Sequence, residues 1–146
     1  MEDKDPVLLH GSCVSWMNRG LLILGASGSG KSTLALQLMA YGARLVGDDR
    51  IWVARRGDLL IATCPPSICG RIEARGVGIL AAEALPEAPL ALAVDLDRSE
   101  PDRLPDHRKL DLLGIGLPLV LGQGRGHLAP VLLQYLTAGR ADGAGA

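Results

Sequence analysis

Residues 25–32 read Gly25-Ala26-Ser27-Gly28-Ser29-Gly30-Lys31-Ser32 and match the phosphate-binding loop pattern G-x-x-x-x-G-K-[ST] at every fixed position. An apolar run over 21–24 precedes this loop and predicts a strand, while 33–39 predicts a helix that leaves it. Glycines allow the backbone to turn successive N–H groups inward, and the N-terminus of a helix adds partial positive charge. The stretch therefore predicts a P-loop that binds a nucleotide or another polyphosphate.

The residue types within this loop also indicate chemistry. Lys31 is expected to reach the outer phosphates of the ligand, and the Ser32 hydroxyl is expected to coordinate Mg2+. The residues expected to surround the phosphates are Gly25, Ala26, Ser27, Gly28, Ser29, Gly30, Lys31, Ser32 and Thr33.

Length and composition exclude several classes of protein. The chain has 146 residues, which favours one domain, and it lacks Phe, so its core must consist of Leu, Ala, Val and Ile. A net charge of −1 argues against a general nucleic-acid binder. No apolar run approaches the ~20 residues that a membrane span needs, and residues 1–5 do not resemble a secretion signal. We therefore expect a soluble cytoplasmic protein that binds neither nucleic acid nor membrane.

The chain contains three cysteines, Cys13, Cys64 and Cys69. In the cytoplasm they are expected to be reduced core or near-core residues. The alternative is a metal site built from Cys64, Cys69 and a histidine, but their spacing is wider than that of a zinc knuckle and there is no second pair. The reduced form is the prediction.

The remaining pattern indicates a mixed sheet rather than a doubly wound one. Segments 7–16 and 21–24 form one predicted hairpin around a turn at 18–20, and 51–54 and 59–62 form another. Two hairpins beside a P-loop do not fit regular strand–helix alternation. The prediction is an α/β P-loop domain with a mixed, partly antiparallel sheet and few helices. Its further strands are expected at 44–47, 90–94 and 117–121.

Other segments carry weaker signals. Gly42 is expected to end the first helix, and 67–80 is a glycine-punctuated stretch without an assigned element. The charged, proline-broken segment 97–109 predicts a surface loop or lid, and a closing helix is expected around 130–135. Residues 1–137 are predicted to form the single domain, followed by a disordered tail over 138–146.

The sequence leaves open which acid accompanies the loop in a reaction. Asp95 ends the apolar strand 90–94, the usual position of an acid that holds the Mg2+ shell. Asp48 and Asp49 follow the short strand 44–47. One helix and this strand after the loop, the chain returns to the edge of the loop, so either carboxylate could lie at the γ-phosphate. Composition does not choose between these candidates.

Five segments occur in one order and at close spacing: His10-Gly11, the loop 25–32, the stretch 42–50, Pro65-Pro66, and Glu73-Ala74-Arg75-Gly76-Val77-Gly78-Ile79. Together they resemble the C-terminal catalytic domain of HPr kinase/phosphorylase. The Glu-x-Arg-Gly-x-Gly-Ile element is the most specific part. The resemblance weakens after Ile79, and the chain looks like a short form without the N-terminal domain of longer members.

The resemblance implies a fold related to phosphoenolpyruvate carboxykinase and an enzyme, HPr(Ser) kinase/phosphorylase. Such an enzyme moves the γ-phosphate of ATP, with Mg2+, onto a seryl hydroxyl of the phosphocarrier protein HPr. The reverse activity uses inorganic phosphate to remove that group and releases pyrophosphate. Members of the family commonly form hexamers, so the resemblance also implies a homo-oligomer.

The resemblance also implies residue roles. Asp48 would be the general base that accepts the serine proton, Lys31 would neutralise charge on the transferring group, and His10 would lie beside the phosphate site. Ser32 and Glu73 would hold Mg2+. Physically, a neutral serine is a poor nucleophile, and a carboxylate within hydrogen-bond reach takes its proton as bonding develops.

Some of these residues also allow plainer interpretations. Asp49 would support Asp48, but with Arg50 it could form a solvated turn. His10 could be an ordinary strand histidine, and Glu73 with Arg75 an ordinary ion pair.

Two departures from the family pattern separate the two activities. Segment 80–90 contains no arginine where longer members place a catalytic one, and Gly124-Arg125-Gly126 is all that matches the late region needed for dephosphorylation. Kinase activity is therefore the firmer prediction. The alternatives are a non-enzymatic ATP-binding sensor and a small P-loop nucleotide hydrolase built on Asp95.

Overall fold

A computed structural model describes residues 5–142. In chain order its elements are β1 (Val7–Trp16), β2 (Arg19–Leu24), α1 (Lys31–Ala40), β3 (Arg44–Gly47), β4 (Arg50–Arg56), β5 (Leu59–Thr63), a 3-10 helix (Pro66–Ile68), β6 (Arg71–Ala74), β7 (Gly78–Ala81), β8 (Ala88–Asp95), β9 (Arg108–Leu112), β10 (Ile115–Leu121) and α2 (Leu128–Ala138). Neither α-helix of these residues is long and apolar enough to cross a membrane.

The first hairpin, β1 with β2, carries the chain into the glycine loop. Its antiparallel register pairs Val14 with Leu21. Met17 and Asn18 form the turn with φ of 54° and 60°, the left-handed conformation that matches the twist of a tight hairpin. The turn thus lies earlier than the predicted 18–20, because two residues suffice to reverse the chain.

The sheet is mixed, as predicted. Its strand order is β2-β1-β4-β5-β8-β10-β9, with β3 beside β1. Strand β8 pairs antiparallel with β5 through its first residues and parallel with β2 through 90–95, while β10 lies parallel to β8. Consequently β2, β8 and β10 end at the same edge of the sheet, where the glycine loop begins.

Two buried apolar clusters fill the two faces of the sheet. On one face α1 and α2 pack against the strands, and Leu38 and Leu132 are fully buried there. On the other face Cys13, Leu22 and Ile51 belong to a second cluster. Leu, Ile, Val and Ala dominate both, as expected for a chain without Phe, and they fix the strands that carry the site.

The glycine-punctuated stretch 67–80 contains a hairpin that the pattern did not predict. Strands β6 and β7 form a separate two-stranded sheet, in which Glu73 pairs with Ile79. Every residue of β7 is exposed, so it lacks the alternation that reveals a half-buried strand. Gly76 and Gly78 have φ of 83° and 141°, which lets the chain turn back there.

The C-terminal part also differs in its bounds. The predicted loop 97–109 ends where β9 begins, at Arg108. Helix α2 contains the predicted 130–135, and Pro130 lies in its first turn, where no intrahelical N–H bond is lost. Of the predicted tail, Ala138 ends α2, Arg140 pairs with Asp142 at 2.7 Å, and 143–146 lie outside the described residues.

Candidate functional site

The glycine loop connects β2 to α1 and is held by its own backbone and by Lys31. Gly28 and Gly30 have φ of 84° and 100°, a conformation that favours glycine. The Lys31 ammonium donates to the carbonyl oxygens of Gly25 and Ala26 at 2.8 and 3.0 Å. The lysine therefore folds back along the loop and keeps its charge at the concave side.

An aspartate that sequence reasoning missed anchors the start of the loop. The Ala26 amide donates to both carboxylate oxygens of Asp97, at 3.0 and 2.9 Å. The Asp97 amide in turn donates to Asp95 Oδ1 at 2.9 Å. Asp95 is thus linked to the loop only through Asp97. In the sequence, the one hint of the role of Asp97 is that it closely follows an apolar strand.

Asp48 is the centre of a buried hydrogen-bond network behind the loop. Its Oδ1 accepts from Ser12 Oγ at 2.6 Å, and Ser32 Oγ lies 2.8 and 2.9 Å from its two oxygens. Its Oδ2 accepts from the Glu73 amide at 3.0 Å. Asp48 as a whole is only 6% exposed. It therefore joins β1, α1 and β6, three elements far apart in the sequence.

Local packing explains how the chain delivers Asp48 to this position. Strand β3 ends at Gly47, where a Cβ would lie 2.7 Å from Ile51 and 2.8 Å from Cys64, so only glycine fits. Asp49 then turns the chain with φ of 73°, a strained value for a residue with a side chain. Its carbonyl accepts from the Gly11 amide at 3.1 Å, which ties the turn to β1.

A cavity of about 150 Å³ opens in front of the loop. Its walls come from the loop, from the turn at Asp49 and from the β6–β7 hairpin. Asp48 lies behind its wall, whereas the side chain of Asp49 is exposed. The lining residues are Ser27, Gly28, Gly30, Lys31, Ser32, Thr33, Asp49, Glu73 and Arg75.

The cavity assembles most of the predicted site residues. Gly25 and Ala26 support the loop from behind through Lys31, and the Ser29 amide donates to the Ala26 carbonyl at 3.0 Å. His10 is exposed on β1 opposite Arg50 and is not among the lining residues.

The plainer interpretations of the neighbouring charges have different outcomes. Asp49 lies 4.0 Å from Arg50 Nε, an exposed pair that suits the solvated turn. Over residues 5–142 no ion pair joins Glu73 and Arg75. Arg75 instead lines the cavity beside Gly28. The sequence hint for this position is that Arg75 lies two residues after Glu73.

Two residues of the cavity fit a hard cation such as Mg2+. The Ser32 hydroxyl has one proton, which it donates to Asp48, so its lone pairs remain for a metal. Glu73 adds a carboxylate to the same cavity, and oxygen donors are the ligands that Mg2+ prefers. Within the described range no cluster of three or more His, Cys, Asp or Glu side chains suits a metal ion. A cation here would therefore depend on phosphate and water for its other ligands.

Cys64 packs at the back of this site. It is half-buried against Gly47, and burial, followed by the neighbouring Cys69, raises the pKa of its thiol to about 11. Burial likewise raises the pKa of Cys13. Both thiols are therefore neutral at physiological pH and pack as small apolar groups.

Comparisons with known protein families and sequences identify one family. Residues 4–116 match the family described as HPr Serine kinase C-terminal domain. HPr kinase/phosphorylase of Cupriavidus metallidurans is 36% identical over 126 residues, covering 78% of this chain and 39% of that protein. The Geobacillus thermodenitrificans protein of the same name is 36% identical over 123 residues, covering 75% and 40%.

A solved structure agrees. The Hpr(Ser) kinase/phosphatase from Coxiella burnetii superposes with a TM-score of 0.72 at 27% identity, covering 90% of this chain and 93% of that one. The chain spans about 40% of the length of the curated relatives above, so it corresponds to one part of them. The chain belongs to the family of HPr serine kinase C-terminal domains.

Proposed function

We propose that this chain is an ATP-dependent protein serine kinase that phosphorylates the phosphocarrier protein HPr. The observation that carries the proposal is the direct hydrogen bonding between Ser32 of the glycine loop and the buried carboxylate of Asp48. It couples a phosphate-binding element to an acid that can accept a proton. The names of the relatives, HPr kinase/phosphorylase, supply the substrate class.

In this proposal the glycine loop is a P-loop, and the domain is of the phosphoenolpyruvate carboxykinase type. The loop amides and the N-terminus of α1 bind the β- and γ-phosphates of ATP. Lys31 exchanges its two carbonyl partners for phosphate oxygens, and Arg75 adds a second positive charge at the same cavity. Arg75 is thereby a candidate for the charge that the missing arginine of 80–90 would supply.

The transfer then needs one proton acceptor. The seryl oxygen of HPr forms a bond to the γ-phosphorus, the bond from that phosphorus to the bridging oxygen breaks, and ADP leaves with the electron pair. The serine proton passes to Asp48. Hydrogen bonds from the Ser12 hydroxyl and the Glu73 amide fix the orientation of the Asp48 carboxylate, so that it is positioned to act as the acceptor.

Ser32 and Glu73 are the residues that would hold Mg2+. When bound, Mg2+ supplies positive charge that offsets the charge on the transferring phosphoryl group. The Ser32 hydroxyl donates a hydrogen bond to Asp48, so the same residue belongs to the loop and contacts the acid.

Asp49 is a second candidate for the base, because one observation favours it. Its side chain lines the cavity, whereas Asp48 lies behind the wall. In the Asp48 assignment Asp49 supports or orients its neighbour, and His10, on β1 opposite Arg50, keeps the place beside the phosphate site that the resemblance implies. Separate substitution of the two acids decides between these assignments.

The broader properties are proposals of the same kind. We propose residues 1–137 as a single kinase domain, a cytoplasmic location, a homo-oligomer of the hexameric type, and phosphorolysis of the phosphoserine by inorganic phosphate. Phosphorolysis has the weaker support, because only Gly124-Arg125-Gly126 stands for the late region of the family. These residues follow β10, outside the cavity that holds the loop.

Transfer of radiolabel from the γ-phosphate of ATP to purified HPr tests the proposal, with the target serine of HPr replaced by alanine as a control. Label on HPr that the alanine control abolishes supports a serine kinase. Phosphate release without labelled HPr would support the hydrolase, and ATP binding without either product would support the sensor.

Lys31→Ala tests the role of the glycine loop in the same assay. It should lose most ATP affinity and essentially all transfer, because the charge that compensates the outer phosphates is gone. Isothermal titration with ATP and Mg2+ measures the affinity. Binding equal to that of the wild type would show that the glycine loop has only a structural role.

A further inference from the structure

A second cavity, larger than the first, lies beside the carboxyl end of β10. It has a volume of about 660 Å³, within the range of small-molecule sites. Its lining residues include Leu104, Leu119, Val131, Tyr135 and Arg125. We call it the β10 groove. None of its residues belongs to the phosphate cavity described above.

The topology places the β10 groove and the glycine loop on one edge of the sheet. Strands β2, β8 and β10 are parallel, and the register aligns their last residues, Leu24, Asp95 and Leu121. Two inter-strand spacings, about 10 Å, therefore separate the start of the loop from the start of the groove. Ligands of open sheets bind at the carboxyl ends of parallel strands.

Hydrogen bonds also connect the wall of the groove to the loop. The Gly122 amide donates to the Asp95 carbonyl at 2.9 Å, and the Gln123 amide to the Arg98 carbonyl at 3.0 Å. Between these contacts Asp97 accepts from Ala26 of the loop. The segments after β8 and β10 thus form one support that reaches from the glycine loop to the groove.

The charges of the groove balance, because the four carboxylates Glu100, Asp102, Asp106 and Asp142 stand against the four guanidinium groups of Arg103, Arg108, Arg125 and Arg140, and this balance suits a polar but uncharged ligand with a flat part. The one well-buried carboxylate, that of Glu100, is paired with Arg108 at 2.8 Å, and Asp142 is paired with Arg140. Arg125 donates to the Glu100 carbonyl at 3.0 Å, which holds its guanidinium group at the wall of the groove, and guanidinium groups stack on planar rings. Tyr135 and Val131 offer the apolar surface against which a base packs.

We infer that the β10 groove binds the nucleoside part of the nucleotide whose phosphates the glycine loop holds. The inference rests on the proposed function, because it needs the loop to bind phosphates. It assigns base recognition to the segment after β10 and to α2, whereas phosphate binding belongs to the segment after β2.

The test compares ATP with inorganic tripolyphosphate, each titrated with Mg2+ into wild type and Val131→Trp. Val131 is 57% exposed on α2, so a larger side chain fills the groove without entering the core. Wild type should bind ATP more tightly than tripolyphosphate. Val131→Trp should weaken ATP binding by about tenfold or more, a loss of about 1.4 kcal/mol, and leave tripolyphosphate binding unchanged.

Two further variants make the outcome decisive. Leu104→Trp fills the groove from the opposite wall, in an exposed loop where folding is not at risk, and should act like Val131→Trp. Leu59→Trp, exposed on β5 away from both cavities, should change neither affinity. Unchanged ATP affinity in both groove variants, or equal losses for both ligands, would overturn the inference. Wild type that binds neither ligand would instead overturn the proposed function.

Discussion

Strands β3 and β8 both deliver an aspartate to the neighbourhood of the glycine loop, yet the two carboxylates are bonded very differently. Asp48 is buried and accepts from two hydroxyl groups and one backbone amide, one of those hydroxyls belonging to the loop itself. Asp95 accepts from the amide of Asp97, and Asp97 rather than Asp95 meets the loop. Position at the end of an apolar strand is common to both, so partners and not position distinguish them.

The comparison teaches that a general rule about strand-ending acids is insufficient here. The rule favours Asp95, because it ends the longer apolar strand. In the structure Asp95 accepts from the amide of Asp97, the residue that anchors the start of the loop, whereas Asp48 contacts Ser32 directly. The carboxylate that contacts Ser32 and the carboxylate that anchors the start of the loop thus follow different strands, β3 and β8.

The largest effect is expected from exchanging these two acids separately. Asp48→Asn should still bind ATP and Mg2+ but lose transfer to HPr by roughly 10²–10⁴, the range expected when a general base is removed. Asp95→Asn should cost far less, because Asp95 contacts neither loop nor cavity directly. Initial rates of labelling of HPr provide the measurement.

The same series should include Asp49→Asn, with melting temperatures measured for all three variants so that lost activity is not lost folding. An essential Asp49 beside a dispensable Asp48 would move the base to the exposed acid of the cavity. An essential Asp95 with both others dispensable would contradict the kinase mechanism and support the hydrolase.

A smaller effect is expected at the cation site. Glu73→Gln should keep the fold and weaken Mg2+-dependent ATP binding by at least about tenfold, the lower end of what even an outer-shell partner of a metal costs. Glu83→Gln is the matched control, because Glu83 is exposed and lies outside the cavity. Identical Mg2+ titrations in both variants would show that Glu73 is not a ligand.

The next effect concerns Ser12, whose buried hydroxyl donates to Asp48. Ser12→Ala removes the 2.6 Å hydrogen bond to Oδ1 and should lower the free energy of unfolding by about 1–3 kcal/mol, because a buried acceptor loses a partner. Ser15→Ala, also buried on β1, serves as the control. Urea unfolding measures both, and equal stabilities would show that Ser12 contributes nothing to the network.

The smallest effect comes from a third carboxylate, Glu100, whose partner is a guanidinium group. The hydrogen bond from Arg108 holds the pKa of Glu100 below its ordinary value. Its contribution to stability is therefore present above the ordinary glutamate pKa and is lost as the pH falls through the lowered one. Glu100→Gln should flatten the acid side of the curve of melting temperature against pH; a curve parallel to that of the wild type would refute this.

The amino-acid sequence alone determined those parts whose causes are local. The glycine loop, the hairpin of β1 with β2, helix α1 with its stop at Gly42, and strand β3 followed from glycine positions and apolar periodicity. These signals lie within a few residues of the structure they specify. The residues of the loop and the acid pair could therefore be named before any fold was known.

Only the tertiary structure decided which of these residues meet. Ser12 and Asp48 are 36 positions apart, and Ala26 and Asp97 are 71 apart, so strand pairing alone brings them together. The exposed strand β7 has no periodic signal, yet its hairpin with β6 carries Glu73 and Arg75 to the cavity. Long-range pairing leaves little trace in local sequence, because its free energy comes from contacts between segments that are distant along the chain.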